Sequence, residues 1–191
     1  MADSFVLPDM RGSEDIAEVL ARCPAEAMTR GMFLADIVDT LRRSQLPLPA
    51  RRYQTFGNYP QREFISVAAS AATQLFPHVS QREALRMLGQ SAYPVFAQTL
   101  IGKVMFGVLG NDIGSVMRIA PRGYASILSH GHADLVESGP TFVRVKLVNV
   151  HTFLSSYQVG VFEGALHACE VKGTLKVRYD NPTNGEFLVE W

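Results

Sequence analysis

The sequence predicts an α+β domain: an N-terminal helical bundle, then a ββαββ unit whose four-stranded antiparallel sheet is covered by helices. Three observations predict it. From Ser13 to about Ala125, apolar residues recur at helical spacing. From His132 onward, β-branched alternation sets in, punctuated by Gly, Pro and Asn. With 191 residues, 47% of them apolar and 19% charged, the chain can bury one sizeable core. Residues 1–12 read as an N-terminal arm and 13–191 as one domain, with a helical half at 13–126 and a ββαββ half at 132–191.

The first helix is expected over Glu14–Arg22, capped by Ser13 and ended by Pro24, with Ile16, Val19 and Leu20 as its buried stripe. A second, Gly31–Ser44, turns Phe33, Leu34, Ile37, Val38 and Leu41 inward. Pro47 and Pro49 forbid helix in the following stretch to Tyr59. That stretch reads either as a solvated crossing loop or as a partner-binding loop presenting Arg51, Arg52, Tyr53 and Phe56. An alanine-rich helix follows over Gln61–Leu75. Ser80 and Glu83 form a capping box that opens a long, central helix running to about Leu109, kinked near Gln90 by Pro94. A short helix begins at Asp112, and Pro121 marks a turn leading to Tyr124.

Strands are expected at His132–Glu137 and Thr141–Val148, joined through Ser138-Gly139-Pro140. Helical period returns over His151–Cys169. Val171–Tyr179 and Glu186–Trp191, turned at 180–185, form the last pair.

Composition narrows the function. Eighteen Lys and Arg balance eighteen Asp and Glu, which argues against a nucleic-acid partner. Charges interrupt every apolar run before the ~18 residues of a membrane span, and the first residues lack the pattern of a signal peptide. Two cysteines, Cys23 and Cys169, suit a reducing compartment, so a cytoplasmic location is expected.

No reactive constellation emerges. His130 and His132 share one side of an extended segment but lack a second ligand pair, so no metal site is expected. No GxSxG occurs, and the glycines at 107, 110 and 114 follow a helix rather than a strand, which excludes the dinucleotide and phosphate-loop patterns. Gly160 and Gly164, four apart in a helix, read either as tight packing of that helix on the sheet or as room for a ligand. On the second reading, Phe96, Leu100, Met105, Phe106 and Tyr157 join the two glycines as walls of an apolar site.

Several segments together resemble a family. They are Arg30-Gly31-Met32-Phe33-Leu34, Tyr59-Pro60, the run Arg82-Glu83-Ala84-Leu85-Arg86-Met87-Leu88-Gly89, Gly102-Lys103-Val104-Met105, the Tyr157, Gly160, Gly164-Ala165-Leu166 spacing, and Trp191. In order and spacing they are similar to a DUF2378-like paralogous family of unknown function abundant in myxobacteria. Its layout in turn resembles a wider group: haem nitric-oxide/oxygen sensors, vinyl-reductase-type ligand-binding domains and Bet3-type subunits of tethering complexes. The resemblance implies sensing, ligand binding or assembly, with dimers common. It does not extend to the haem ligands. The helix matching the one that bears the axial histidine reads Asp112-Ile113-Gly114-Ser115-Val116-Met117-Arg118, and no Tyr-x-Ser-x-Arg occurs.

The expectation is therefore a non-catalytic cytoplasmic regulatory domain without a cofactor, holding a small apolar molecule between helices and sheet. The alternative is an interaction module acting as a homodimer or complex subunit.

Overall fold

Two packed cores with one helix between them organise the chain. The computed structural model describes residues 4–106 and 112–191. In chain order the elements are α1 (Ile16–Arg22), β1 (Met28–Arg30), α2 (Gly31–Arg43), β2 (Asn58–Pro60), α3 (Gln61–Leu75), α4 (Gln81–Gly89), α5 (Ala92–Gln98), α6 (Leu100–Phe106), α7 (Ile113–Arg118), α8 (Ala120–Ile127), β3 (His132–Ser138), β4 (Phe142–Val148), α9 (Tyr157–Ala168), β5 (Thr174–Asn181) and β6 (Asn184–Glu190). The first core joins α2, α3 and α4 around Leu34, Ile65 and Leu85. The second lies under the sheet around Val145, Val177 and Phe187.

The sheet is antiparallel in the order β3-β4-β6-β5, as the alternation predicts. Along β4, Val143, Val145 and Leu147 point into the core. On the other face Glu186, itself buried, accepts from Arg178 at 2.8 Å and lies 3.3 Å from Arg144, so two guanidinium groups compensate one carboxylate. The N-terminal arm adds one bridge to the β5 edge, where Val6 and Val177 exchange amide bonds of 2.9 and 2.8 Å.

Several boundaries differ from expectation for identifiable reasons. Asp15, not Ser13, caps α1 by accepting from the Glu18 amide. Glu14 leaves the helix altogether and accepts from Arg82, Ser155 and Ser156, tying the N-terminus to α4 and the segment before α9. Only half of the expected capping box forms at α4: Ser80 Oγ accepts from the Glu83 amide, while the Glu83 carboxylate turns to Arg86. A short ribbon, β1 paired with β2 through Thr29 and Tyr59, escaped the periodicity because it spans three residues on each side.

The expected long helix is three helices. Pro94 has no N–H to give the Gln90 carbonyl, and the chain breaks there between α4 and α5. It breaks again at Thr99, which is extended and whose hydroxyl caps α6 by accepting from the Gly102 amide at 3.0 Å. The second break turns Leu100 and Val104 outward, 73% and 69% exposed, so α6 is peripheral rather than central. The expected end at Leu109 lies outside the described residues.

Pro121 sits in the first turn of α8, where its missing donor costs nothing, so the expected turn is a helix. Helix α9 starts at Tyr157 rather than His151. Phe153 is in the left-handed region and Ser156 is non-helical, and the Ser155 and Ser156 hydroxyls are spent on Glu14. Most of α9 is buried around its whole circumference, which makes it the partition between the two cores.

Candidate functional site

Where the two cores meet around α9, packing leaves a cavity of about 100 Å³. Phe33, Phe64 and Phe96 reach it from the first core, and Met117, Phe162 and Ala165 from the second. Aromatic geometry stiffens these walls: Phe64 meets Tyr157 edge-on at 5.5 Å, and Phe162 stacks on Phe187 at 4.7 Å. No lining residue carries a formal charge.

The polar lining is sparse. Tyr124 donates to Gln158 Oε1 at 2.6 Å, and Gln158 Nε2 donates to the Thr152 hydroxyl at 2.7 Å. This chain ties α8 to α9 and to the segment before it. Burial, reinforced by Tyr157, pushes the Tyr124 phenol well above its ordinary pKa, and burial does the same to Tyr157. Tyr93 is pushed up to about 12 by burial and by Cys169. All three phenols therefore stay protonated across the physiological range. On the opposite wall, Thr29 and Gln61 are 3% and 4% exposed and open onto the cavity.

Of the residues singled out as ligand walls, Phe96 and Tyr157 line this cavity. Leu100 faces solvent, and Met105 packs half-buried against the first core away from the cavity. The side chain of Phe106 lies outside the described residues. Gly160 and Gly164 leave no room for a ligand. A Cβ on Gly160 would run into the Arg86 carbonyl, and one on Gly164 into the Gln90 carbonyl. Gly89 of α4 meets the Tyr157 carbonyl in the same way. The glycines thus form a backbone seam between α9 and α4, not between α9 and the sheet. Arg86 and Gln90 clamp the seam by donating to Glu163 at 2.7 and 3.0 Å.

The proposed partner loop is fastened to α3. Arg51 pairs with Glu63 at 2.8 Å and lies over the Tyr59 ring, and the Tyr53 hydroxyl donates to the same carboxylate at 2.9 Å. Arg52 stays exposed, and Phe56 at the loop tip is 79% exposed.

Tyr124, Gln158, Thr29 and Gln61 were not foreseen as site residues. One signal was available: Tyr124-Ala125-Ser126-Ile127-Leu128 keeps the tyrosine and serine of a Tyr-x-Ser-x-Arg pattern, with Leu128 at the arginine position.

A second cleft, about 400 Å³ and lined by both charged and apolar side chains, lies between α1, the Phe153–Ser155 segment and the β5–β6 turn. His151 lines it with a buried, unpartnered Nδ1. Burial, with His130 and Arg22 nearby, lowers its pKa and keeps it neutral. Among the described residues, no three His, Cys, Asp or Glu side chains converge to hold a metal ion, and no helix is long and apolar enough to cross a membrane.

The family described as "Protein of unknown function (DUF2378)" matches residues 25–191. No curated protein shows significant sequence similarity to the chain. Among solved structures, the fold is similar to the Fe(II) unliganded H-NOX protein from K. algicida, with TM-score 0.63 and 10% identity over 84% of this chain and 95% of that one. It is also similar to the SO2144 H-NOX domain from Shewanella oneidensis in the Fe(II)CO state, at 0.61 and 12% over 84% and 97%. A third is an H-NOX protein from S. oneidensis in the Fe(II)NO state, at 0.59 and 13% over 84% and 98%. At such identities the likeness concerns the fold alone.

Proposed function

The chain belongs to the DUF2378 family of proteins of unknown function, and we propose that it is a non-catalytic sensory domain whose ligand is a small apolar molecule held at the junction of the two cores. The observation that carries this reading is the cavity: apolar, free of formal charge, and walled by both halves of a fold shared with H-NOX sensors. A molecule there touches α5, α7, α8 and α9 at once, so its binding energy favours one mutual arrangement of the two cores. The seam between α4 and α9 passes any shift of α9 to the helical half.

Haem does not fit these residues. No histidine or cysteine lines the cavity, its three tyrosines stay protonated rather than offering a phenolate to iron, Met117 alone is a weak thioether ligand, and no arginine or lysine lines it to pair with propionates. Leu128, which takes the arginine position, lines the cavity with an apolar side chain. Its volume also falls short of the ~300 Å³ at the low end of cofactor pockets.

Gly123 of α8 provides the test. A Cβ there meets only a Phe96 ring carbon at 3.6 Å, an ordinary contact at the cavity edge. Gly123→Ala is expected to stabilise the protein by up to about 1 kcal/mol through helix propensity, read from a urea melt. Gly123→Leu fills the space. In NMR titrations, toluene is expected to shift the methyls of Val116, Ile127 and Val161 in the wild type and to leave Gly123→Leu unchanged. A wild type indifferent to both toluene and phenol, or shifts that persist in Gly123→Leu, sinks the proposal.

The exposure of Phe56 favours a second reading, a loop tip that docks on a partner or a second copy. Light scattering would then show self-association that Phe56→Ser weakens; a strict monomer in both would count against it.

A further inference from the structure

We propose that the cavity selects uncharged, largely apolar molecules bearing one hydroxyl or carbonyl group, with the Gln61 carboxamide as the recognition element and the Thr29 hydroxyl beside it. The inference rests on the reading of the cavity as a ligand site and adds the ligand's chemistry.

Gln61 is the first residue of α3, directly after β2, and its backbone amide donates to the Ala27 carbonyl at 2.7 Å. That bond and the ribbon register fix the residue beside β1, where Thr29 sits opposite Tyr59. Both side chains are more than nine-tenths buried and face the cavity, yet neither makes a side-chain hydrogen bond among the described residues. Gln158, the other glutamine of the lining, differs: its amide oxygen accepts from Tyr124 and its nitrogen donates to Thr152. One wall is therefore internally satisfied and the other is not. The Gln61 amide, open to the cavity and unpaired within the described residues, is free to pair with a polar atom of a bound molecule.

Four constraints define the ligand. A charged molecule would be desolvated without a counter-ion, since no lining side chain carries charge. The bulk of the lining demands an apolar body. The volume, about 100 Å³, compares with the ~150 Å³ of a dry cavity that admits benzene, which sets the body at about one small ring. The carboxamide both donates and accepts, so a single hydroxyl on that ring can pair with either end of it and a single carbonyl with its N–H.

Phenol and toluene match in ring and heavy-atom number and differ only in hydroxyl against methyl, so they isolate this claim. Their dissociation constants would be measured by NMR titration with the wild type and with Gln61→Leu, which replaces the amide with an apolar side chain. The wild type is expected to bind phenol more tightly than toluene, and Gln61→Leu to shift the ratio toward toluene by about tenfold or more. Thr29→Val should shift it in the same direction by less. Toluene bound as well as phenol by the wild type, or a ratio unmoved by Gln61→Leu, overturns the assignment of Gln61 while leaving the cavity a ligand site. Failure of both probes to bind overturns the ligand site and this inference with it.

Discussion

Alanine at Gly160 is expected to destabilise the fold by about 3 kcal/mol or more, lowering the melting temperature by about 6–12 °C for a chain of this size. On propensity alone the change would stabilise a helix interior by about 1 kcal/mol. Contact reverses the sign. The new methyl would overlap the Arg86 carbonyl oxygen, which is backbone and cannot swing aside. Relief requires α9 to move from α4, and that strains the pairing of Glu163 with Arg86 and Gln90. Thermal melts of Gly160→Ala and Gly123→Ala make a matched pair: the same substitution in two helices, with opposite expected signs. A neutral or stabilising Gly160→Ala would show that the seam is looser than described.

Gln158→Leu carries the second large effect. It strands two buried hydroxyls, those of Tyr124 and Thr152, because each has Gln158 as its partner. Each orphaned group costs about 1–3 kcal/mol, so a loss of about 2–6 kcal/mol is expected. The burial that raises the Tyr124 pKa blocks the alternative of ionising that phenol. Tyr124→Phe also destabilises alone, since it leaves the Gln158 oxygen unpaired. In the Gln158→Leu background, however, it removes a stranded hydroxyl and should cost nothing or recover about 1 kcal/mol. Urea denaturation of the wild type, the two single variants and the double variant reads this coupling. Strict additivity would mean that the Tyr124–Gln158 bond contributes nothing.

Much of the fold was legible because local rules act there without competition. The alanine-rich helix was expected over Gln61–Leu75 and has those bounds, and the strand alternation of Phe142–Val148 gave the buried face of the sheet. Failures cluster where a distant partner outbids a local preference. Glu14 left α1 for Arg82 and two serines, Ser155 and Ser156, whose hydroxyls are held outside α9 by that carboxylate. Leu100 was placed inward by continuing one helical phase through Thr99, whose extended backbone resets that phase. The cavity was the least legible feature. Thr29, Gln61, Tyr124 and Gln158 come from four elements and carry no mutual spacing, so only tertiary packing reveals them as one lining. Phe96 and Tyr157 were found because a bulky aromatic within an apolar helix usually points inward. The Gly160/Gly164 strip was noticed for its spacing, but spacing does not say which neighbour approaches; the neighbour is α4.

The account depends most on the cavity at α9 being an accessible site for small apolar molecules and not for haem. A crystal pressurised with xenon tests this most directly, because xenon needs only dry, apolar space. The account predicts a xenon peak bounded by Phe96, Met117 and Phe162, in protein purified without a haem absorption band. A cavity without xenon density, or protein that carries stoichiometric haem from expression, would contradict it.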